Sequence, residues 1–329
     1  MIPFVSIIVP VYKVENYIER CARSLLSQSM QTMQSLEYIF VDDCTPDRSM
    51  EVLQRVIADY KRDNLNVKII THECNKGPGS ARNTGLKHAT GEYIFFCDSD
   101  DWLEPYAMEQ LWSAAQLSSA DLIWFDWYLS SGATERRMKE SEKQTPLECL
   151  KSILSGKLKF NLWNKIVKRS LYFDYGVFFP ETFSMAEDMI MIKMYVYAKS
   201  VYHVGSPLYH YMQDNSSSLT HTFTEKHYVQ IRSCADEIIR FLQSVYGDRL
   251  DAELHYFKLN VKLPFLISAD KVAYRYWLNW YEESNSYIWQ NTVISSRVRL
   301  LQQMAALRQF WFVCMHYYLL YQLLPRIRN

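Results

Sequence analysis

Gly91 to Trp102, GEYIFFCDSDDW, is an apolar run that ends abruptly in three carboxylates. Tyr93 to Cys97 has the length and bulk of a buried strand. Asp98, Asp100 and Asp101 then fall where that strand emerges, and in open α/β sheets ligands bind at the carboxyl ends of strands. Acids packed this closely repel one another unless something positive lies between them. Hard oxygen donors suit Mg²⁺ or Mn²⁺, so a divalent metal on a phosphate substrate is one occupant. The other reading is a solvated Asp-rich turn in which Asp100 or Asp101 caps a helix beginning near Pro105.

Upstream, Val5 to Val11 (VSIIVPV) has the β-branched, apolar character of a central parallel strand. Pro10 lacks the N–H for a ladder bond, so the strand is expected to stop or kink there and leave Pro10 to Tyr12 exposed at its carboxyl end. A helix from Asn16 to about Ser29 places Tyr17, Ile18, Cys21, Leu25 and Leu26 on one face. Leu36 to Val41 is a second strand, ending in Asp42 and Asp43, with a helix after Pro46. Asn66 to Thr71 is a third, followed by the loop Asn75 to Gly79 and a helix from Ser80 to Ala89. Strands alternating with helices make βαβ units, whose right-handed crossovers force a parallel sheet with helices on both faces. The polar ends of three strands can then converge on one crevice: Tyr12, Asp42 with Asp43, and Asp98 with Asp100.

Downstream, a helix from Glu104 to about Leu117 leads to a strand at Asp121 to Leu129. Ser130 to Gln144 is polar and glycine-containing, as expected of an exposed loop. After a helix from Pro146 to Leu154 comes Asn161 to Lys165. Ser184 to Lys199 carries Glu187 and Asp188 at the head of an apolar helix, where the dipole favours acids in a plain capping role. Val201 to Met212 suggests a strand pair around Gly205 to Pro207, and Asp214 to Thr220 a polar loop.

From about Thr224 the pattern is helical, and two domains follow: residues 1–223, with halves 1–105 and 106–223, and a helical region 224–329. Residues 271 to 329 hold seven Lys or Arg against two acids, with aromatic clusters such as Phe310-Trp311-Phe312. Basic amphipathic helices with Trp and Tyr fit the surface of an anionic membrane; equally, these aromatics can pack on the rest of the chain or on a second subunit as a homo-oligomer. Over the whole chain 36 basic residues balance 36 acidic ones, which argues against nucleic acid as a partner. No N-terminal stretch has the layout of a signal peptide, and no segment reaches the roughly 18 unbroken apolar residues of a membrane span. The expected location is the cytoplasm, with peripheral contact to the inner face of the cytoplasmic membrane left open. Seven cysteines without CxxC or CxxH spacing argue against a disulfide framework and a zinc site.

The pieces VSIIVPVYKVENYIERCARSLLSQS, VDDCTPD, NKGPGSARNTGL, FFCDSDD and AEDM stand in the order of the family 2 glycosyltransferases. The chain resembles these inverting nucleotide-sugar enzymes closely over residues 1 to about 105 and more loosely to about 220. NLWNKIVKR and PLYHYMQDNSSSLT further resemble bacterial members that build capsular, exopolysaccharide and lipopolysaccharide glycans. The resemblance implies a GT-A fold, Rossmann-like and α/β, with a mostly parallel central sheet. It implies a UDP-hexose or UDP-N-acetylhexosamine donor, a glycan or lipid-linked acceptor, and Mn²⁺ or Mg²⁺. The nucleotide-binding positions it implies are Pro10, Tyr12, Glu15, Asp43, Gly79, Arg82 and Asp98. Asp100, with His210, would hold the metal; Glu187, Trp163 and Asn164 would meet the donor or acceptor sugar; Asp188 would be the catalytic base.

These roles have physical sense. Tyr12 offers a ring for a uracil, and Asp43 a carboxylate for the base's ring N–H, unless Asp43 caps the next helix. Gly77 and Gly79 let backbone approach a phosphate, and Arg82 adds a fixed charge. Trp163 offers a flat face to a sugar or else belongs to the core. Inverting transfer needs one base for the acceptor hydroxyl rather than the acid and base pair of a hydrolase. Met212 stands where these bacterial members often carry Arg or Lys, so charge for the diphosphate would fall to Arg82, Lys165 or a histidine among His203, His210 and His221. Two other functions remain: a Mg²⁺-dependent phosphohydrolase, disfavoured by Trp102 where that chemistry wants Thr or Val, and a catalytically silent glycan-binding scaffold.

Overall fold

The computed structural model describes residues 2–29, 36–60, 65–132, 134–181, 189–213 and 225–323. The chain forms two compact units, residues 1–148 with 160–234, and residues 149–159 with 235–329.

The first unit is built on one sheet. Its described strands are β1 (Val5–Val11), β2 (Leu36–Asp42), β3 (Asn66–Thr71), β4 (Tyr93–Phe96), β5 (Trp102–Leu103), β6 (Leu122–Ser131), β7 (Thr134–Met138), β8 (Lys165–Lys168) and β9 (Val201–Met212). They lie in the order β3-β2-β1-β4-β8-β6-β9-β5, with β7 on β6. Strands β1 to β4 are mutually parallel where they pair, and the helices α1 (Ile18–Leu26), α2 (Ser49–Asp59) and α3 (Pro78–His88) connect them. β1 and β2 are buried along almost their whole length because both faces are covered, which is why they contain no polar alternation. Beyond β4 the sheet becomes mixed: β8 is antiparallel to β4 and β6, while β9 runs parallel to β6 and antiparallel to β5.

β2 flanks β1 on one side and β4 on the other, so the chain reverses its direction of growth between β1 and β4. That is the switch point at which a crevice opens beyond the strand ends. Pro10 does not end β1, contrary to the sequence expectation: Pro10 pairs with Val41 and Val11 with Asp42. The Ile8 carbonyl accepts from Cys97 and the Val11 carbonyl from Asp43. The alternation therefore turns the Pro10 nitrogen toward the β4 side, where pairing has ended at Phe96 and no ladder donor is needed.

The base of the sheet is locked by Glu37, buried at the start of β2. Its carboxylate accepts from the Ser6 hydroxyl, the Lys68 ammonium at 2.6 Å, and the Thr90 N–H and hydroxyl at 2.8 and 2.9 Å. Gly91 follows because a Cβ there would lie 2.6 Å from the Ser6 nitrogen.

Two further expectations are corrected. Ser130 to Gln144 is not a plain loop, since Thr134–Met138 pairs with β6 as a hairpin through Gly132 at φ +54°. Its sequence TERRM is polar on both sides because almost all of this edge strand is exposed. Val201 to Met212 is a single strand, not a pair; register shifts around Asp126 absorb Gly205, Ser206 and Leu208 without breaking the pairing to β6. The helices α4 (Ala107–Ser118), α6 (Arg169–Asp174) and α7 (Ile190–Tyr197) complete this unit, and α5 (Pro146–Leu154) and α8 (Glu225–Tyr246) run across the division between the units.

The second unit contains α9 (Asp251–Lys262), α10 (Lys271–Asn279), α11 (Ser296–Ala306) and α12 (Phe310–Tyr317). Phe257, Leu266, Trp277, Leu301, Ala305 and Val313 are buried in it. The Lys262 ammonium is also buried, held by the Trp280 carbonyl at 2.9 Å and Asn285 Oδ1 at 2.8 Å, with the Trp277 ring 4.2 Å away. Residues 149–159, read from sequence as part of the first domain, belong here: Asn260 and Asn291 donate to the carbonyls of Leu154 and Ser155.

Candidate active site

Tyr12 leaves β1 as a 39% exposed ring at the mouth of the crevice, with the Lys13 ammonium 5.3 Å from its centre. Lys13 adopts φ +54° and donates its N–H to Thr45 Oγ1 at 2.8 Å, which joins the β1 loop to the β2 loop. Glu15 strengthens the same junction, its carboxylate accepting the Arg48 N–H at 3.0 Å and its N–H reaching Asp47 at 3.1 Å. Pro10, two residues before Tyr12, is half-buried.

Asp43, at the end of β2, is buried and caps no following helix; Asp47 accepts from Ser49 at the start of α2 instead. Asp43 Oδ1 accepts from the Lys76 N–H and pairs with His72 Nδ1, both at 2.8 Å, while Oδ2 accepts from the Gly77 N–H at 2.8 Å. It thus holds the glycine loop shut against the strand end. Gly77 sits at φ +87°, a conformation that favours glycine, and Pro78 starts α3. Gly79 is buried in the first turn of α3, where backbone N–H groups lack carbonyl partners within the helix. His72 was not singled out from sequence; its other nitrogen reaches Thr84 Oγ1 at 2.9 Å and ties the loop to α3. Its position just past β3, at the level of Asp43 in the parallel register, is the signal that could have found it.

Arg82, buried on α3, meets Asp98 Oδ1 at 2.9 Å. Asp98 keeps about a third of its side chain exposed, at 30%. Asp100 is half-buried, and its carbonyl accepts from Arg20 at 3.4 Å. The two carboxylates offer oxygen only, the donor chemistry of Mg²⁺ or Mn²⁺. Among the described residues no three His, Cys, Asp or Glu side chains gather around one point. Asp101 caps nothing at α4, whose N-cap is Tyr106. It is fully buried and accepts from the Tyr209 hydroxyl and the Met212 N–H, each at 2.7 Å. Burial, reinforced by the charges of Asp100 and Asp98, pushes the Asp101 carboxyl well above the usual carboxylate range.

Three sequence expectations fare differently. His210 is stacked between Trp102 at 4.6 Å and Tyr128 at 4.8 Å, with the Arg20 guanidinium 3.5 Å from the Trp102 ring. Its nitrogens reach Glu104 and Glu135, both at 2.9 Å, so neither is left for a metal. Trp163 is a core residue: it is buried, lies on Tyr209 and Tyr211 at 4.9 and 5.1 Å, and meets Trp127 edge-on. No ring face is left for a sugar. Asn164 is fully buried beside it, its amide accepting from the Lys165 ammonium at 2.6 Å. Lys165 is likewise buried, and His203 is engaged with Asp126 at 3.1 Å. Glu187, Asp188 and His221, with the loop Asp214 to Thr220, lie outside the described residues.

The profile of Glycosyl transferase family 2 matches residues 6–185, more than half of the chain. The chain is a family 2 glycosyltransferase. This glycosyltransferase is 34% identical over 230 residues to the uncharacterized glycosyltransferase EpsJ of Bacillus subtilis, covering 67% of the chain and 64% of EpsJ. It is 28% identical over 257 residues to the poly(ribitol-phosphate) beta-N-acetylglucosaminyltransferase TarS of Staphylococcus aureus, covering 75% of the chain and 43% of TarS. The chain therefore spans less than two thirds of either relative. Residues 1–349 of TarS in complex with UDP-GlcNAc superpose with a TM-score of 0.71 at 23% identity, covering 95% of this chain and 91% of that one. The mannosyltransferase PcManGT of Pyrobaculum calidifontis, in complex with GDP-Man and Mn²⁺, gives 0.53 at 15% identity, covering 98% and 88%. The fold of this glycosyltransferase is therefore the GT-A type read from its sequence, with a C-terminal helical region.

Proposed function

We propose that the chain transfers a hexosyl or N-acetylhexosaminyl group from a UDP-sugar to a hydroxyl of a glycan or lipid-linked glycan, with inversion, in the synthesis of a surface polysaccharide. The observation that carries this reading is the crevice at the β1 and β4 switch point. There the ends of β1, β2 and β4 and the start of α3 supply an aromatic ring, a glycine loop closed by Asp43, the Arg82 and Asp98 pair, and Asp100. A TarS fragment of the same fold is known in complex with UDP-GlcNAc, which supports the choice of donor.

In this reading Tyr12 stacks on the uracil, and the spare lone pair of Asp43 Oδ2 takes the base's ring N–H. The first turn of α3 and Arg82 face the diphosphate, and Asp98 meets the ribose. Asp100 would hold Mg²⁺ or Mn²⁺ with phosphate oxygens as further ligands; when bound, the cation stabilises charge on the departing diphosphate. Asp188 removes the proton of the acceptor hydroxyl as that oxygen attacks the anomeric carbon from the face opposite the leaving group, with Glu187 orienting the sugar.

The test is a thermal-stability series with UDP, GDP, CMP and dTDP, each with and without Mn²⁺, on the wild type and Asp100→Ala. A ligand that binds only the folded state raises the midpoint by mass action. A Mn²⁺-dependent shift with UDP that is absent in Asp100→Ala is expected. A shift with another nucleotide alone rejects the UDP donor, and none with any rejects the metal and diphosphate site. Asp188→Asn should keep the UDP shift while losing transfer.

A further inference from the structure

We propose that the C-terminal helices of the second unit dock on the surface of an anionic phospholipid bilayer, with α12 lying in the plane of the interface.

α12 and the π-helical turn after it, Tyr318–Leu323, carry an outward apolar stripe. Trp311, Met315, Tyr318, Leu319 and Leu323 are 60, 42, 56, 45 and 54% exposed. Their spacing, four, three, one and four residues, places them along one side of a helix. Val313, on the other side, is fully buried. α11 packs against α12, and Leu300 on it and Leu307 just past its end are also exposed. Single exposed apolar side chains are ordinary, but a continuous stripe of them marks a contact surface.

Charge selects the occupant. From Ser284 to Asn329 there is no Asp or Glu, and every Lys or Arg is an arginine: 297, 299, 308, 326 and 328. Arg297 and Arg308 are exposed. Arg297 lies near His316 of α12, and its charge adds to burial in lowering that imidazole's pKa. Two copies meeting through this face would bring arginines against arginines, with no acid in these helices to answer them. Anionic headgroups supply the missing charge, and Trp and Tyr bordering an apolar stripe suit the headgroup boundary. No described helix is long and apolar enough to cross a membrane, so the contact proposed is one of lying on the surface.

The experiment is co-sedimentation of the full chain with vesicles of phosphatidylcholine alone, or mixed with phosphatidylglycerol, at low and high salt. Binding to the mixed vesicles is expected, weakened by salt and by omission of the anionic lipid. Trp311→Ser with Leu319→Ser should weaken it at least tenfold, with the melting midpoint and the UDP shift unchanged because both positions are exposed. Arg297→Gln with Arg308→Gln should remove only the anionic preference, which keeps the test decisive if the serine variant fails to fold. Absence of vesicle binding by the folded wild type overturns the proposal, as does binding that neither variant alters. A stable oligomer in light scattering that the serine variant dissociates, without vesicle binding, also overturns it and assigns the stripe to a second copy.

Discussion

The hydroxyl of Tyr209 donates to Oδ2 of the fully buried Asp101 at 2.7 Å. The same hydroxyl accepts the Asp98 N–H at 3.1 Å, and Met212 donates its N–H to the other Asp101 oxygen. The third acid of the DSDD run is therefore a clamp between the end of β4 and the end of β9. Its effect is to fix the short turn from which Asp98 and Asp100 project, so the geometry of the crevice depends on a strand more than a hundred residues away.

Tyr209→Phe keeps the ring packing and removes this donor. A buried carboxyl that loses a partner costs about 1–3 kcal/mol, and the turn it holds should loosen. The expected outcome is a lower urea midpoint together with weaker UDP binding in calorimetry. Wild-type values for both would mean that the clamp does not set the crevice.

Asp43→Asn replaces one accepting oxygen by an NH₂ group. Each oxygen now receives a backbone N–H, so a donor must face a donor at Lys76 or Gly77. Stability should fall by about 1–3 kcal/mol and UDP affinity with it, as the glycine loop opens. An unchanged dissociation constant for UDP would remove this loop from the nucleotide site.

Glu37 sets an acid limb of stability. Burial alone would push its pKa up, but the hydrogen bonds from Lys68, Ser6 and Thr90 outweigh that and hold it below the ordinary value of about 4.3. A folded pKa below the unfolded one gives stability that is complete above the unfolded value and is lost as pH falls through the folded value. Urea midpoints measured from neutral pH downward should therefore drop below about pH 4.3 in the wild type. Glu37→Gln should be less stable at neutral pH and should show less of that drop; parallel curves for the two proteins would exclude the role.

Trp163→Ala should cost about 3–5 kcal/mol, the usual range for emptying a buried tryptophan site. Trp163→Phe should cost less and leave the acceptor KM unaltered, because no face of the indole is open to a sugar. A raised acceptor KM with an unchanged melting midpoint would restore Trp163 as a sugar platform.

The half-domain from β1 to β4 was legible in the sequence because its signals are local. VSIIVPV, LEYIFV and YIFFC are runs buried on both faces, α1 and α2 carry a 3.6-residue stripe, and Asp43, Gly77, Arg82 and the DSDD acids stand at strand ends or helix starts. A pattern of this kind records that a side chain is buried or emerges, but not what it meets. That is why His210 and Trp163 looked available for chemistry while tertiary structure closed each of them with aromatic rings. It is also why the polar edge strand TERRM, the unbroken strand β9 and the place of residues 149–159 in the helical unit were not foreseen. The sequence by itself determined the α/β order, the family and the set of acids. Tertiary structure alone decided which polar group bonds to what, because hydrogen bonds such as Tyr209 to Asp101 and Asn291 to Ser155 join residues that are distant in the chain and carry no period.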